Sequence, residues 1–198
     1  MKTITKDILT AAKFASTDES RPVLTAVKVT DKGYAATDSY KLVMIKHKGA
    51  DIKEFPVIPN AQEVKELPEP LLIPAAALLK KLKFPTSKTL PILGEGLLCN
   101  AEKGSVAIAT TDLETATTLQ FRTIDGTFPE YQKIMPTGEP VVTIMLDAKL
   151  VTECMAAFLD GETNQVRLDL YGETEPMIMT GKSENNDHIK ALLMPCKI

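Results

Sequence analysis

Residues 21–42 read RPVLTAVKVTDKGYAATDSYKL, and they decide the fold class. Leu24-Thr25-Ala26-Val27-Lys28-Val29-Thr30 alternates apolar and polar residues, as a half-buried strand does. Asp31-Lys32-Gly33 follows as a tight turn, with Gly33 supplying the positive φ that such a turn requires. Gly33 to Thr37 makes a second strand, Thr37-Asp38-Ser39 a polar corner, and Lys41 to Lys46 a third strand. This stretch is an antiparallel meander.

Working outward, the same plan occurs three times, each time as an apolar-periodic helix followed by strand-like segments. The spacing predicts helices over 6–16, 74–84 and 147–158. After the first come LTAVKVT, GYAAT and KLVMIK; after the second LPILGEGLLCN, SVAIAT and ETATTLQFRTI; after the third NQVRLDLYG, EPMIMTG and HIKALLMPC. The corner Ala36-Thr37-Asp38 is echoed by Thr110-Thr111-Asp112, whereas the third repeat has Thr180-Gly181-Lys182. Thr5 is placed to cap the first helix, with Asp7 in its first turn, and Pro74 to occupy the first position of the second. The stretch 55–70 carries Pro56, Pro59, Pro68 and Pro70 and reads as a connecting loop over a surface. A second boundary falls at Pro136-Thr137-Gly138-Glu139-Pro140. The expected organisation is therefore α+β, with a two-repeat domain over 1–136 and a single repeat over 137–198. A helix-plus-strands repeat cannot cover its own apolar face, so the third is left without an internal partner.

Composition narrows the function. With 44% hydrophobic and 25% charged residues the chain is of ordinary globular type, and no apolar run reaches the ~20 residues of a membrane span. Lys6, Asp7 and Lys13 interrupt the N-terminal stretch, which lacks the core of a signal peptide. Cys99, Cys154 and Cys196 are odd in number and have no metal spacing, which suits a reducing, cytoplasmic setting. A net charge of −3 excludes indiscriminate coating of nucleic acid and directs attention to where the lysines gather. Trp is absent and aromatics are 5%, which argues against stacking on single-stranded bases.

Three segments, in one order, carry a family resemblance: the meander of 21–42, Ile124-Asp125-Gly126-Thr127-Phe128-Pro129-Glu130-Tyr131, and Met194-Pro195-Cys196-Lys197-Ile198. Their wording resembles bacterial DNA polymerase III beta subunits, the sliding clamps. The resemblance implies a DNA-clamp fold of βαβββ units, two to a domain and three domains to a subunit. It also implies twelve helices around the hole of a ring and continuous sheets outside. Residues 1–136 resemble the middle domain and 141–198 the second half of the last domain. The remaining portions have no equivalent in these 198 residues. By that arithmetic three repeats per chain call for four chains, a tetrameric ring.

Helical geometry gives the DNA expectation its content. Lys6 and Lys13 share a face with Thr10, while Ile8, Leu9 and Ala12 turn to the core. Lys80, Lys81 and Lys83 lie across from Leu78, Leu79 and Leu82. With Arg21 and Lys149 they form the candidate DNA-binding set, contacting phosphate without reading sequence. Lys149, Thr152, Glu153 and Ala156 make the third helix nearly neutral by comparison. The plain alternative is that these lysines only solvate exposed helix faces.

The resemblance also implies a hydrophobic cleft for short linear motifs of a polymerase, the clamp loader or a repair protein. Leu24, Thr37, Ser39, Tyr40, Lys41 and Leu42 correspond to one wall, and Leu192, Met194, Pro195, Cys196 and Lys197 to the terminal segment. Leu24, Leu42 and Met194 can hold apolar anchors of such a peptide, or can simply be core residues of their strands. Cys196 stands where the family commonly has methionine. No nucleophile stands beside a base, and the repeated Thr-Asp corners read as turn-forming side chains rather than as a catalytic pair. His47 and His188 lack zinc spacing, and no glycine group forms a phosphate loop. The expected protein is a replication accessory without catalytic residues, metal or cofactor. The alternative is a clamp-like module that binds clamp ligands without encircling DNA.

Overall fold

The computed structural model describes residues 2–47, 55–59, 61, 62, 64, 66, 67, 70–87, 89–159, 163–182 and 188–196. It divides into two compact units, Met1–Tyr131 and Gln132–Ile198.

In the first unit the helices are α1 (Asp7–Ala12) and α2 (Ala75–Lys81). The strands are β1 (Thr3–Thr5), β2 (Ala26–Thr30), β3 (Gly33–Thr37), β4 (Leu42–Lys46), β5 (Leu71–Pro74), β6 (Glu95–Asn100), β7 (Ser105–Thr111) and β8 (Ala116–Arg122). They form two antiparallel four-stranded sheets, ordered β4-β3-β2-β5 and β1-β6-β7-β8. The two repeats exchange their leading strands. β5, which opens the second repeat, pairs with β2 of the first through Leu72 opposite Lys28. β1, which opens the first, pairs with β6 of the second through Thr3 opposite Leu97. The exchange ties both sheets to one core. Ile4, Ile8, Ala11, Leu71, Ile73, Leu78, Leu98, Ile108 and Phe121 meet there, and α1 packs against α2. Apolar side chains taken from water at about 25 cal/mol per Å² supply the main stabilisation.

Parts of the outer sheet faces are covered as well. Phe55 and Ile58, from the expected surface loop, are buried against Leu97, Cys99, Ala107 and Ala109. Phe128 is buried on Ala26, Ala35 and Leu72. β8 stops at Arg122, and the segment up to Glu130 runs without regular structure. Gly33 meets its expectation: φ is 142°, and a Cβ there would come within 1.9 Å of the Ile45 carbonyl oxygen.

The second unit contains α3 (Ala148–Ala156) and a three-stranded sheet ordered β11-β10-β9, from β9 (Arg167–Asp169), β10 (Met177–Lys182) and β11 (His188–Leu193). Phe158, Met177, Met179 and Leu193 are its buried core. Residues 141–146, where the pattern of the other repeats has a leading strand, form none.

Local details depart from the sequence pattern in three places. The helices are shorter than predicted, since α1 gives way to turns after Ala12 and α2 to extended chain at Leu82. Thr5 donates its hydroxyl to Asp7 at 3.2 Å instead of capping, and Lys6 already has helical φ and ψ. Pro74 precedes α2 rather than opening it. Asp147, by contrast, caps α3 by accepting from the N–H groups of Lys149 and Leu150 at 2.8 and 3.1 Å.

Candidate functional site

The two Thr-Asp corners of the first unit are built alike. Thr37 donates its hydroxyl to the Lys41 carbonyl at 2.8 Å and accepts from Ser39 N–H at 3.1 Å. Thr111 does the same with the Thr115 carbonyl at 2.8 Å and Leu113 N–H at 3.0 Å. Asp38 Oδ1 accepts from the N–H groups of Tyr40 and Lys41, both at 2.9 Å, and Asp112 Oδ1 from those of Glu114 and Thr115 at 3.1 and 2.6 Å. Ser39 and Leu113 take φ of 86° and 79°, so one conformation recurs at both corners. The backbone hydrogen bond from Lys41, then that from Tyr40, holds the Asp38 carboxyl below its ordinary range. The backbone and side-chain bonds from Thr115 do so for Asp112. These carboxylates are engaged in turn geometry, as the sequence reading of the corners expects.

The corners differ in what they present. At the first, Tyr40 is 96% exposed. Arg21 binds Ser39 Oγ through Nη1 at 3.0 Å and Asp18 through Nε at 3.1 Å. Lys41 lies over the Phe14 ring at 5.5 Å, reaches the Lys13 carbonyl at 3.4 Å and pairs with Asp38 at 3.6 Å. Arg21, expected among DNA contacts, is thus fixed to the hairpin expected to receive a peptide. Phe14, absent from the sequence-based set, joins this surface; the signal available was a Phe closing each helical stretch, at 14, 84 and 158. Leu24 is buried and Leu42 half-buried, so at Leu24 the core reading holds. Thr37 is buried through its turn bonds.

The terminal segment reads differently. Leu192 is 58% and Met194 56% exposed, while Leu193 between them is buried in the core. Met194 is therefore not a core residue. Pro195 is half-buried and Cys196 exposed. Lys197 lies outside the described residues.

All the lysines of the candidate DNA set, Lys6, Lys13, Lys80, Lys81, Lys83 and Lys149, are exposed. Ile8, Ala12 and Leu78 are buried, as the helical spacing predicts; Leu9 is only half-buried, and Leu82 is buried but lies in extended chain past the end of α2. Leu79 departs from this at 47% exposure. Lys80 and Lys81 fall in the last turn of α2, where the helix dipole favours cations. Lys149 faces Glu153 at 3.9 Å on α3, which leaves that helix face nearly neutral. Among the described residues no group of three or more His, Cys, Asp or Glu is placed to hold a metal ion. No helix there is long and apolar enough to cross a membrane.

Helix-and-strand repeats that exchange leading strands around one core define a class: the chain has the fold of the DNA sliding clamps. Within that class it resembles the beta subunits of bacterial DNA polymerase III. The sliding clamp of Bacillus subtilis matches with a TM-score of 0.68 at 19% identity, over 98% of this chain and 49% of that one. The clamp of Bartonella birtlesii, solved bound to griselimycin, matches at 0.64 and 16%, over 100% and 51%. The beta subunit of Streptococcus pyogenes matches at 0.62 and 16%, over 99% and 50%. The chain spans about half the length of the clamps it resembles. No protein-family model and no curated protein sequence matches it.

Proposed function

We propose that this chain is a compact, clamp-like accessory of DNA replication, with no catalytic role. It tracks duplex DNA through exposed lysines on its helices and tethers a polymerase, a clamp loader or a repair protein by a short linear motif. The observation that carries this reading is the clamp fold over nearly the whole chain, with Lys80 and Lys81 in α2, and Lys6, Lys13 and Lys83 beside the helix ends, exposed outward of a shared core. Phosphate contacts of this kind carry no sequence information and suit a protein that must move along DNA. The partner motif would engage the corner formed by Arg21, Ser39, Tyr40 and Lys41 and, separately, the exposed Leu192 and Met194. Tethering of this kind raises effective concentration without new chemistry.

Because the chain has about half the length of the clamps, encircling DNA calls for more than one copy. A tetrameric ring is the form that the helix count favours. The test is retention of the protein on nicked circular DNA before and after linearisation, over a salt series. The clamp reading expects retention on the circle and release at free ends. Equal loss from both, together with binding of a clamp-ligand peptide, would support the second reading of a non-encircling module. The neutralised Lys149–Glu153 face of α3 favours that second reading.

A further inference from the structure

In the first unit each leading strand is held on both sides. β5 pairs on one side with β2 of the other repeat. On its other side the Leu72 carbonyl accepts from Ile124 N–H, beyond the last strand of its own repeat, at 3.0 Å. β1 pairs with β6, and on its other side its Thr3 carbonyl meets a side chain instead, the His47 ring nitrogen Nε2 just beyond β4, at 3.1 Å. The third repeat has one half of this arrangement. The Met145 carbonyl accepts from Cys196 N–H, beyond β11, at 2.8 Å. Met145 therefore stands where Thr3 and Leu72 stand. In extended chain the neighbouring Ile144 and Leu146 then turn their backbone groups to the opposite side, where no strand pairs with them among the described residues. β9, the counterpart of β2 and β6, is the end strand of its sheet.

Side chains agree with the backbone. β1 and β5 are almost wholly buried and α1 and α2 bury Ile8, Ala11, Ala12, Ala75 and Leu78. α3 buries none of its residues, with Leu150 45% exposed, and Leu168 in β9 is 46% exposed. A unit this small rarely stands on one such core alone.

We propose that residues 132–198 pair with the same unit of a second copy of this chain. Residues 141–146 of each copy would lie antiparallel along β9 of the other, with the two α3 helices packed as α1 packs on α2. The occupant is a second copy because the third repeat offers both complementary parts: a leading segment with one side open and a first strand, β9, whose outer edge is open among the described residues. Two copies satisfy each other with nothing left over, as a closed isologous pair requires. Any other occupant would have to supply both parts itself.

The register follows from the first unit. Lys28 pairs with Ala35 and Leu97 with Ala109, each two residues before a corner, and Leu168 pairs likewise with Met179 before Gly181. Since Leu72 faces Lys28 and Thr3 faces Leu97, Met145 faces Leu168 of the second copy. Its carbonyl points away, so this is a non-hydrogen-bonded pair, whose short Cβ separation suits a disulfide.

This inference rests on the homo-oligomeric part of the proposal above and is tested without DNA, so a failure of DNA retention leaves it standing. The full chain is brought to sedimentation equilibrium at micromolar concentration, and the double variant Met145→Cys with Leu168→Cys, in a Cys196→Ser background, is mildly oxidised. The expected result is a mass above one chain and an intermolecular disulfide in the double variant but in neither single variant. Leu150→Glu should weaken the association at least about tenfold, with the thermal unfolding of the first unit unchanged. A monomeric mass would overturn the inference. So would an association indifferent to Leu150→Glu in which no disulfide forms.

Discussion

The two units of this chain show one repeat in two circumstances. In Met1–Tyr131 two repeats exchange leading strands, so β1 and β5 are buried and each helix contributes to a common core. In Gln132–Ile198 a single repeat keeps its helix and three strands, but residues 141–146 form no strand and α3 buries no residue. The difference teaches that the leading segment becomes a strand by tertiary pairing rather than by local preference. Val141, Val142, Thr143 and Ile144 are all good strand formers, yet propensity without a neighbouring edge does not make a strand there.

The sharpest way to break this comparison is to remove equivalent apolar groups from both units. Leu78→Ala or Ile73→Ala should cost roughly 2–5 kcal/mol, because both side chains are fully buried. Leu150→Ala should change the stability of an isolated chain by no more than about 0.5–1 kcal/mol. Denaturant melts of the three variants decide it, and equal losses would mean that α3 is already covered.

Next in size is the charge of the helices. Reversing Lys80, Lys81 and Lys83 to Glu should lower retention on duplex DNA by an order of magnitude or more at low salt, and flatten its salt dependence. Lys149→Glu should do little, because Glu153 already offsets that charge. A retention assay in which Lys149→Glu weakens binding as much as the triple change would place α3 on DNA.

A smaller effect is expected at the partner surfaces. Tyr40→Ala and Met194→Ala should each weaken a clamp-ligand peptide by about 1–2 kcal/mol, read by calorimetry, with no change in melting behaviour. Unaltered affinity in both would move peptide recognition elsewhere.

Smallest are the proton-linked effects. Asp38 and Asp112 are held below 3.8 by turn hydrogen bonds in the folded chain. Their contribution is therefore complete above that value and fades as pH falls through the lower folded one. Tyr34 is shifted the other way: burial raises it to about 12 from 10.0, and its hydroxyl accepts Thr5 N–H at 2.7 Å. Its contribution is whole below pH 10 and is lost as pH climbs towards 12. Acid titration of Asp38→Asn beside the parent chain, and phenolate absorbance at high pH, check the two directions.

Much of the fold was legible in the sequence, because helical and strand periodicities and the Thr-Asp corners are local signals. The clamp class followed from the wording of 21–42, 124–131 and 194–198. What stayed hidden is non-local. No spacing rule tells which repeat receives β1 or β5, nor that Arg21 would be held by Ser39, eighteen positions away. In the third repeat the glycine that replaces the corner threonine also has a spatial cause. Phe158 lies so close to Gly181 that a Cβ there would come within 2.6 Å of its ring, leaving no room for a threonine. The end of α1 differs from the periodicity because Lys13 to Ser16 continues the apolar rhythm after the backbone has left the helix.

The contrast between the units is tested most directly by amide hydrogen exchange of the full chain at low and high protein concentration. Pairing between copies predicts that the amides of Ile144, Leu146, Arg167 and Asp169, which face the open side, exchange quickly when dilute and gain protection with concentration, towards that of β5 and β2. Protection at those amides that stays low at every concentration, while the first unit remains protected, would contradict it.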